Sequence, residues 1–483
     1  MSEKPNILVF ISDSLRRDHV GVYTKRRIVT PSLNTFASQS VVFDNAYVGS
    51  FPTVPARADL LTGRKSCTFM GWEPLPRDIP VVPEILREQG YVCFGAVDTP
   101  FYLRDGFGYD RGFNDFVAIR GQGNEKRIME RTDIRADWNY EEDRMAAQTV
   151  KAVERWLEKH YKERFFMLVD TWDPHEPYDA PNYFTELYLK DYDGQQVYPP
   201  YAKWKEAGLS EQDLRVGHAS YCGEVTMVDR WFGILMSKLE VLGIADKTVV
   251  LFTADHGCLF GEHGLFGKAE MVWDQWDEGK GSKEAGNGDD TPNWLRTSFM
   301  KALARSPLYQ DIARIPFLVR GPGFKPRRSN AMTEWIDFSA TALDIAGVSD
   351  QAGFNGRSLL PSLRNGVDEH RPFVISSWPL YFAQGEKTAA VDHRSRTLRG
   401  YQPITVSTRD AAVVIGGPDE HLEYYDLEHD PVGETDIAAS HPALAAALAW
   451  EAIAELESQG TPEKNLEPRR EAVRRWRQTH GLV

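Results

Sequence analysis

"NILVFISDS", residues 6–14, decides the fold. Five apolar residues in a row, Ile7 to Ile11, give way abruptly to Ser12, Asp13 and Ser14. The run is too short for a buried helix and too uniformly apolar for a strand with one wet face. It reads as a strand covered on both sides. Three more segments repeat the pattern: "YVCFGAVDT" (91–99), "FFMLVDTWDPH" (165–175) and "TVVLFTADHG" (248–257). Helix-like stretches lie between them, among them "PSLNTFASQS", "VPEILREQG", "EDRMAAQTVKAVERWLEKHY" and "YCGEVTMVDRWFGILMSKLEVLG". Apolar strands alternating with helices predict an α/β fold with a mostly parallel central sheet.

After about residue 370 the pattern changes. "TLRGYQPITVSTRDAAVVIGG" and "LEYYDLEHDP" read as antiparallel strands, and "HPALAAALAWEAIAELESQ" as an amphipathic helix. The 483 residues exceed what one core usually fills. The expectation is a catalytic α/β domain over 1–370 and a smaller α+β domain over 371–483. Residues 273–297, rich in Gly, Asp and Trp, are too long for an ordinary loop and read as an insertion.

Bulk properties exclude several functions. A net charge of −14 argues against nucleic acid, whose backbone demands Lys and Arg density. "PRREAVRRWRQTH" (468–480) is read as a solvated Arg-rich helix facing the acidic body. No apolar run is long enough to span a bilayer, and the start lacks a signal-peptide pattern. Four cysteines make neither a disulfide framework nor a paired metal spacing. The expected setting is the cytoplasm, without membrane or nucleic-acid partners. The insertion and the Arg-rich helix are candidate contacts of a homo-oligomer.

Asp13, Asp98, Asp170, Asp173, His175, Asp255 and His256 all fall at or just after strand ends. In open α/β sheets that edge is where sites are built. Asp255 and His256 can reach one metal if the chain turns at Gly257, or they can be a helix cap and a supporting residue. Asp13 is a third ligand or a helix cap. Two carboxylates with one imidazole suit manganese, zinc or iron better than an all-oxygen set would. In "GSFPTVPARADLLTGR" (49–64) a helix is expected to begin near Ala56. Thr53 there is a nucleophile or a helix cap, and Arg57 an oxyanion clamp or a surface charge. His175 and Lys268 can neutralise a phosphoryl or sulfuryl oxygen or protonate a leaving group.

Taken in order, "PNILVFISDSLRRDHVGVY", "TVPARADLLTGR", "GYDRGFNDF", "DPHEPY", "TADHGCLFGEHGLFGK", "IPFLVRGPG" and "YYDLEHDP" resemble the sulfatase family of the alkaline phosphatase superfamily. The resemblance runs over about residues 4–437. It implies an α/β/α sandwich with a smaller C-terminal α+β domain. It also implies a metal held by Asp13, Asp255, His256 and Thr53, with Thr53 at the nucleophile position. Arg57 then matches the arginine holding the nucleophile, and His175 and Lys268 match the contacts to substrate.

Three departures from the family pattern carry information. Ser14 stands where many sulfatases have a second aspartate, and His256 replaces a frequent asparagine, which favours Mn2+ or Zn2+ over Ca2+. Asp98 and Thr99 occupy positions where sulfatases often place Lys and His, and are candidate substrate contacts. Thr53 replaces the cysteine or serine that sulfatases oxidise to formylglycine; oxidising a secondary alcohol gives a ketone, so that cofactor is not expected. Asp170, Asp173, His175 and His263 form at most a weak second ligand set, and one metal is expected. The function implied is a metal-dependent hydrolase of small anionic esters, phosphodiesters or phosphonate monoesters, through a covalent Thr53 intermediate. The alternatives are a sulfuric ester hydrolase without formylglycine and a binding or assembly protein that has lost catalysis.

Overall fold

A computed structural model describes residues 4–99, 106–119, 138–273, 300–349, 351, 353–380, 387–389, 395–398 and 401–482. The insertion expected at 273–297 lies, from residue 274 onward, outside the described residues. The large sheet has eight strands: β1 (Asn6–Ser12), β2 (Val41–Tyr47), β3 (Val92–Val97), β4 (Asp115–Ala118), β5 (Phe165–Thr171), β6 (Thr248–Thr253), β7 (Phe317–Arg320) and β8 (Arg327–Glu334). Their order across the sheet is β8-β2-β7-β6-β1-β5-β3-β4. β7 pairs antiparallel with both of its neighbours, and every other pairing is parallel.

The four strands read from sequence are the contiguous block β6-β1-β5-β3. They are apolar because helices cover both faces. The main helices are α1 (Pro31–Ser38), α2 (Thr53–Thr62), α3 (Met145–His160), α4 (Glu211–Val241) and α5 (Trp335–Ile345). Helix α4 starts ten residues before the apolar periodicity that betrays it. Ser210 caps it, accepting from the Asp213 amide at 3.2 Å while the Asp213 carboxylate accepts from the Ser210 amide at 2.7 Å. Among the described residues no helix is long and apolar enough to cross a membrane.

Phe10 shows what the centre of the sheet relies on. It is fully buried, edge-on to Phe232 of α4 at 5.3 Å and stacked on Phe252 of β6 at 5.5 Å. Phe10→Ala is expected to cost about 3–5 kcal/mol, through lost burial and a cavity that rigid neighbours cannot close. Chemical denaturation would check this; a cost below about 1 kcal/mol would mean the helix layer collapses onto the gap.

Beyond residue 373 the chain builds a second, antiparallel sheet from β9 (Val374–Ser377), β10 (Ile404–Ser407), β11 (Ala411–Ile415) and β12 (Glu423–Asp426). Helices α6 (Pro442–Ser458) and α7 (Glu463–Thr479) pack on it around Ile404, Val413, Ala449, Leu466 and Trp476. The terminal helix corrects the reading of 468–480 as wholly solvated. Arg469 is buried and donates to the carbonyls of Leu380, Asn465 and Gln402. Arg470, Arg474 and Arg475 face acidic side chains of the same domain.

Candidate active site and metal centre

Because β6, β1, β5 and β3 are adjacent and parallel, their C-terminal ends share one edge. Asp13 directly follows β1, Asp255 comes two residues after β6, Asp170 is the penultimate residue of β5 and Asp98 directly follows β3. Ile11 is in register with both Asp170 and Thr253. All four carboxylates are fully buried. At Ser14 the backbone turns into the left-handed region (φ 59). That turn lets the Ser14 amide donate to Asp255 Oδ1 at 2.9 Å while its hydroxyl donates to Asp13 Oδ1 at 2.8 Å. Ser14 thus ties two carboxylates from strands far apart in sequence.

Helix α2 begins at Thr53, three residues earlier than expected. The Pro55 ring falls in the first turn, where its missing N–H costs no intrahelical bond, and the Ala56 amide closes the turn on the Pro52 carbonyl at 3.0 Å. Thr53 is therefore the first helical residue, in the positive end of the helix dipole. Phe51 packs its ring 4.9 Å from the His256 ring and fixes this segment against the β6 end.

One turn on, Arg57 enters the carboxylate cluster. Its Nε and Nη2 reach Asp170 Oδ2 and Oδ1 at 3.0 and 2.8 Å, Nη1 pairs with Asp255 Oδ2, and Nη2 lies 3.1 Å from Asp13 Oδ2. Nη1 also donates to the Thr53 carbonyl at 3.3 Å. The bidentate fork expected to grip an oxyanion grips Asp170 instead, a partner the sequence did not single out. Burial opposes the guanidinium charge, but Asp170, Asp255 and Asp13 outweigh it and hold Arg57 ionised.

His256, His175 and Lys268 form the other wall. Lys268 Nζ lies 2.8 Å from His175 Nε2 and 3.3 Å from His256 Nε2. The Nδ1 of His256 faces the Gly257 carbonyl at 3.0 Å, and that of His175 faces the Glu176 carbonyl at 2.9 Å. A carbonyl can only accept, so both Nδ1 atoms carry the proton and both Nε2 atoms present lone pairs. Burial, reinforced by the Lys268 charge, lowers His256 to about 3 and puts His175 well below the ordinary imidazole range. Trp172 stacks on His175 with ring centres 3.8 Å apart.

Asp98 and Thr99, the expected substrate contacts, are engaged within the protein. Asp98 accepts from the Thr149 hydroxyl at 2.7 Å and from the Trp172 amide, and Thr99 Oγ1 donates to Asp170 Oδ1 at 3.3 Å. Burial, then the neighbouring Asp173, keeps the Asp98 carboxyl well above the usual range. His263 is stacked on Tyr309 at 3.5 Å. Among the described residues Asp170, Asp173, His175 and His263 do not gather as a ligand set.

Asp13, Asp255 and His256 do gather. Three observations fit a cation there. Asp13 Oδ2 is buried and accepts no hydrogen bond of good geometry, although the Arg57 guanidinium lies within ion-pair distance. The lone pair of His256 Nε2 lies 3.4 Å from Asp255 Oδ2, an arrangement of two electron-rich atoms that a positive ion relieves. Burial, followed by the Asp255 charge, pushes the Asp13 carboxyl up. Burial pushes Asp255 the same way, yet Arg57 outweighs it and holds that carboxyl below the usual range. Three carboxylates, Asp13, Asp170 and Asp255, thus face two basic side chains, Arg57 and Lys268, at this edge.

The chain is similar to known proteins along most of its length. The sulfatase family model matches residues 5–348. A choline-sulfatase of Rhizobium meliloti is 22% identical over 90% of this chain and 82% of its own length. An arylsulfatase of Clostridium perfringens is 23% identical over 90% and 91% respectively. The crystal structure of a phosphonate monoester hydrolase of Agrobacterium radiobacter superposes with a TM-score of 0.69 at 18% identity, covering 94% of this chain and 96% of that one.

Proposed function

The chain belongs to the sulfatase family, and from that premise we propose that it hydrolyses small anionic phosphodiesters or phosphonate monoesters through a covalent Thr53 intermediate. Ester-cleaving hydrolysis is the activity of the family; the phosphorus preference and the role of Thr53 are our reading. The observation that carries it is Thr53 itself, at the start of α2 and one turn before an arginine buried among strand-end carboxylates. A threonine cannot become an aldehyde. The cycle that frees sulfate from formylglycine is closed to it, and the intermediate must be released by water attacking the central atom.

Asp13, Asp255 and His256, with the Thr53 hydroxyl as a fourth donor, would hold a divalent ion. When bound, it supplies Lewis acidity that polarises an ester oxygen and favours ionisation of an alcohol. The donor set suits Mn2+ or Zn2+ better than Ca2+. The rest falls to the chain. Thr53 Oγ1 attacks phosphorus, passes its proton to the neutral His175 and displaces the alcohol or phenol. Lys268 donates a proton to the leaving oxygen and regains one from His175, whose Nε2 lies 2.8 Å from its Nζ. Water then attacks phosphorus, breaks the Thr53–phosphorus bond and restores the hydroxyl. Arg57 keeps Asp170 and Asp255 in place throughout and sets the orientation of α2.

Matched aryl esters test the preference. The kcat/KM for an aryl phosphonate monoester or phosphodiester should exceed that for the corresponding sulfate by at least about tenfold. A sulfate preference would overturn the phosphorus assignment and favour a sulfatase working without formylglycine. Lys268→Met should lower kcat/KM by about 100-fold with an aryl leaving group and by more with an alkyl one, whose oxygen needs the proton. Equal losses on both would remove Lys268 from proton transfer. In the same reading the enzyme works in a reducing cytoplasm, a setting that suits four buried free thiols.

A further inference from the structure

Outside the active site, His19, His218 and Cys222 bring two imidazole nitrogens and a sulfur within 4.8 Å of one another. No local pattern announces it, since the four cysteines show no paired spacing and His19 lies 199 residues from His218. His19 sits in the short turn Arg17–His19 that follows β1. His218 and Cys222 lie one turn apart on the same face of α4. We propose that His19, His218 and Cys222 form a second metal site, selective for a thiolate-binding ion of the Zn2+ class, that staples α4 to the loop presenting Asp13.

The geometry supports this atom by atom. Asp18 Oδ1 lies 2.8 Å from His19 Nδ1, and the same carboxylate pairs with Arg16, so it accepts there; the proton sits on Nδ1 and the Nε2 lone pair points away. A carboxylate behind an imidazole in this way is the usual support of a metal-bound histidine. His19 Nε2 faces His218 Nε2 at 2.7 Å, and Cys222 Sγ faces that same His218 nitrogen at 3.7 Å. The 2.7 Å contact is a hydrogen bond from His218 Nε2–H to the His19 lone pair; with the His218 proton moved to Nδ1, three donor atoms converge on one point. With Zn–N bonds of about 2.0–2.1 Å at tetrahedral angles the two nitrogens would part by about 0.6 Å, a small rotation of the half-buried His218 ring.

Surroundings and charge are compatible. Phe260 closes one side, 5.2 Å from the His218 ring, and Tyr221 another, 5.2 Å from His19. The nearby Arg16 would repel a cation if unpaired, but Asp18, Glu262 and Asp311 hold its guanidinium at 2.9, 2.8 and 2.7 Å. Cys222 is buried, and an ion takes its sulfur as thiolate by displacing the thiol proton. The proton count is simple. His19 keeps its Nδ1 proton, the neutral His218 moves its proton to Nδ1, and one proton per ion leaves from sulfur.

The consequence is structural. Tyr221, next to Cys222, donates to the Ser14 carbonyl at 2.9 Å and accepts from the Arg16 amide at 2.8 Å. Ser14 in turn holds Asp13 and Asp255. An ion on Cys222 therefore braces the loop on which the first strand presents its carboxylate. Sulfur and imidazole select Zn2+, Co2+ or Cu over Mg2+, Mn2+ and Ca2+, so Mn2+ is the ion that separates this site from the one at Asp13.

Cobalt reads the two sites separately. The chelator-treated full chain is titrated with Co2+ while ultraviolet absorption is followed. Thiolate-to-cobalt charge-transfer absorption should grow to one equivalent, be displaced by Zn2+, survive Asp255→Asn and vanish in Cys222→Ser and in His218→Ala. The latter alters the more exposed ligand and serves if Cys222→Ser does not fold. Absence of that absorption from the wild-type chain, or its persistence in either variant, overturns the proposal.

Discussion

Thr53→Ala is expected to reduce kcat on a phosphonate monoester or phosphodiester by at least about a thousand-fold, with KM changed little, because the variant keeps the pocket and loses the attacking atom. Thr53→Ser should stay within about tenfold of the parent, since a primary hydroxyl at the same helix start attacks equally well. Acid quenching during turnover should trap a phosphoryl group on Thr53, found by peptide mass spectrometry, and Thr53→Ala should trap none. Threonine here is small and lies in a first turn where alanine is well tolerated. The variant should therefore melt within a few degrees of the parent, which separates chemistry from folding. Turnover by Thr53→Ala within tenfold of the parent would end the covalent mechanism and point to direct attack by water.

Arg57→Ala is expected to be the most damaging single change at the strand ends. The arginine is 1% exposed and its three carboxylate partners are 0% exposed. Removing it leaves buried negative charge without compensation, at a cost of about 3–5 kcal/mol. The size of the loss should depend on metal. In chelator the full cost appears as an earlier urea midpoint. With saturating Mn2+ or Zn2+, positive charge restored beside Asp13 and Asp255 should recover part of it, leaving Asp170 as the residual. Activity should fall in both states, since Arg57 also bonds the Thr53 carbonyl and orients the helix start. A variant whose midpoint moves by the same amount with and without metal would show that the ion does not share these carboxylates.

Much of the site was legible because strand ends are legible. Asp13, Asp98, Asp170 and Asp255 each follow an apolar run that could only be a buried strand, so their common edge followed from fold class alone. The partners of these residues were not legible. Nothing local told Arg57 to choose Asp170, 113 residues away, over an oxyanion. Asp98 and Thr99 are candidate substrate contacts through the positions they hold in the family pattern, and that pattern does not announce their bonds to Thr149, Trp172 and Asp170. The start of α2 at Thr53 rather than near Ala56 is not legible locally, because Pro55 is equally at home inside a first turn and just before one.

The outer half of the sheet was harder to read than its centre. Strand β2 alternates less cleanly, and β7 runs against its neighbours after a connection that no periodicity announces. The second cluster is the extreme case. His19 was hidden in a turn and His218 in the polar first third of α4, and only the packing of that helix on the loop after β1 joins them.

By itself the sequence determined the fold class, the edge on which the chemistry lies, the identity of its donors and the replacement of an oxidisable residue by Thr53. These are local matters, set by side-chain type, by the unbroken apolar runs of doubly covered strands and by the 3.6-residue period of helices. The tertiary structure decided which charges neutralise which, which imidazole nitrogens present lone pairs, and that His19, His218 and Cys222 converge. Those depend on register and helix packing between segments about 100–250 residues apart. Buried charge makes them matter, because a carboxylate without water must find its partner within the protein.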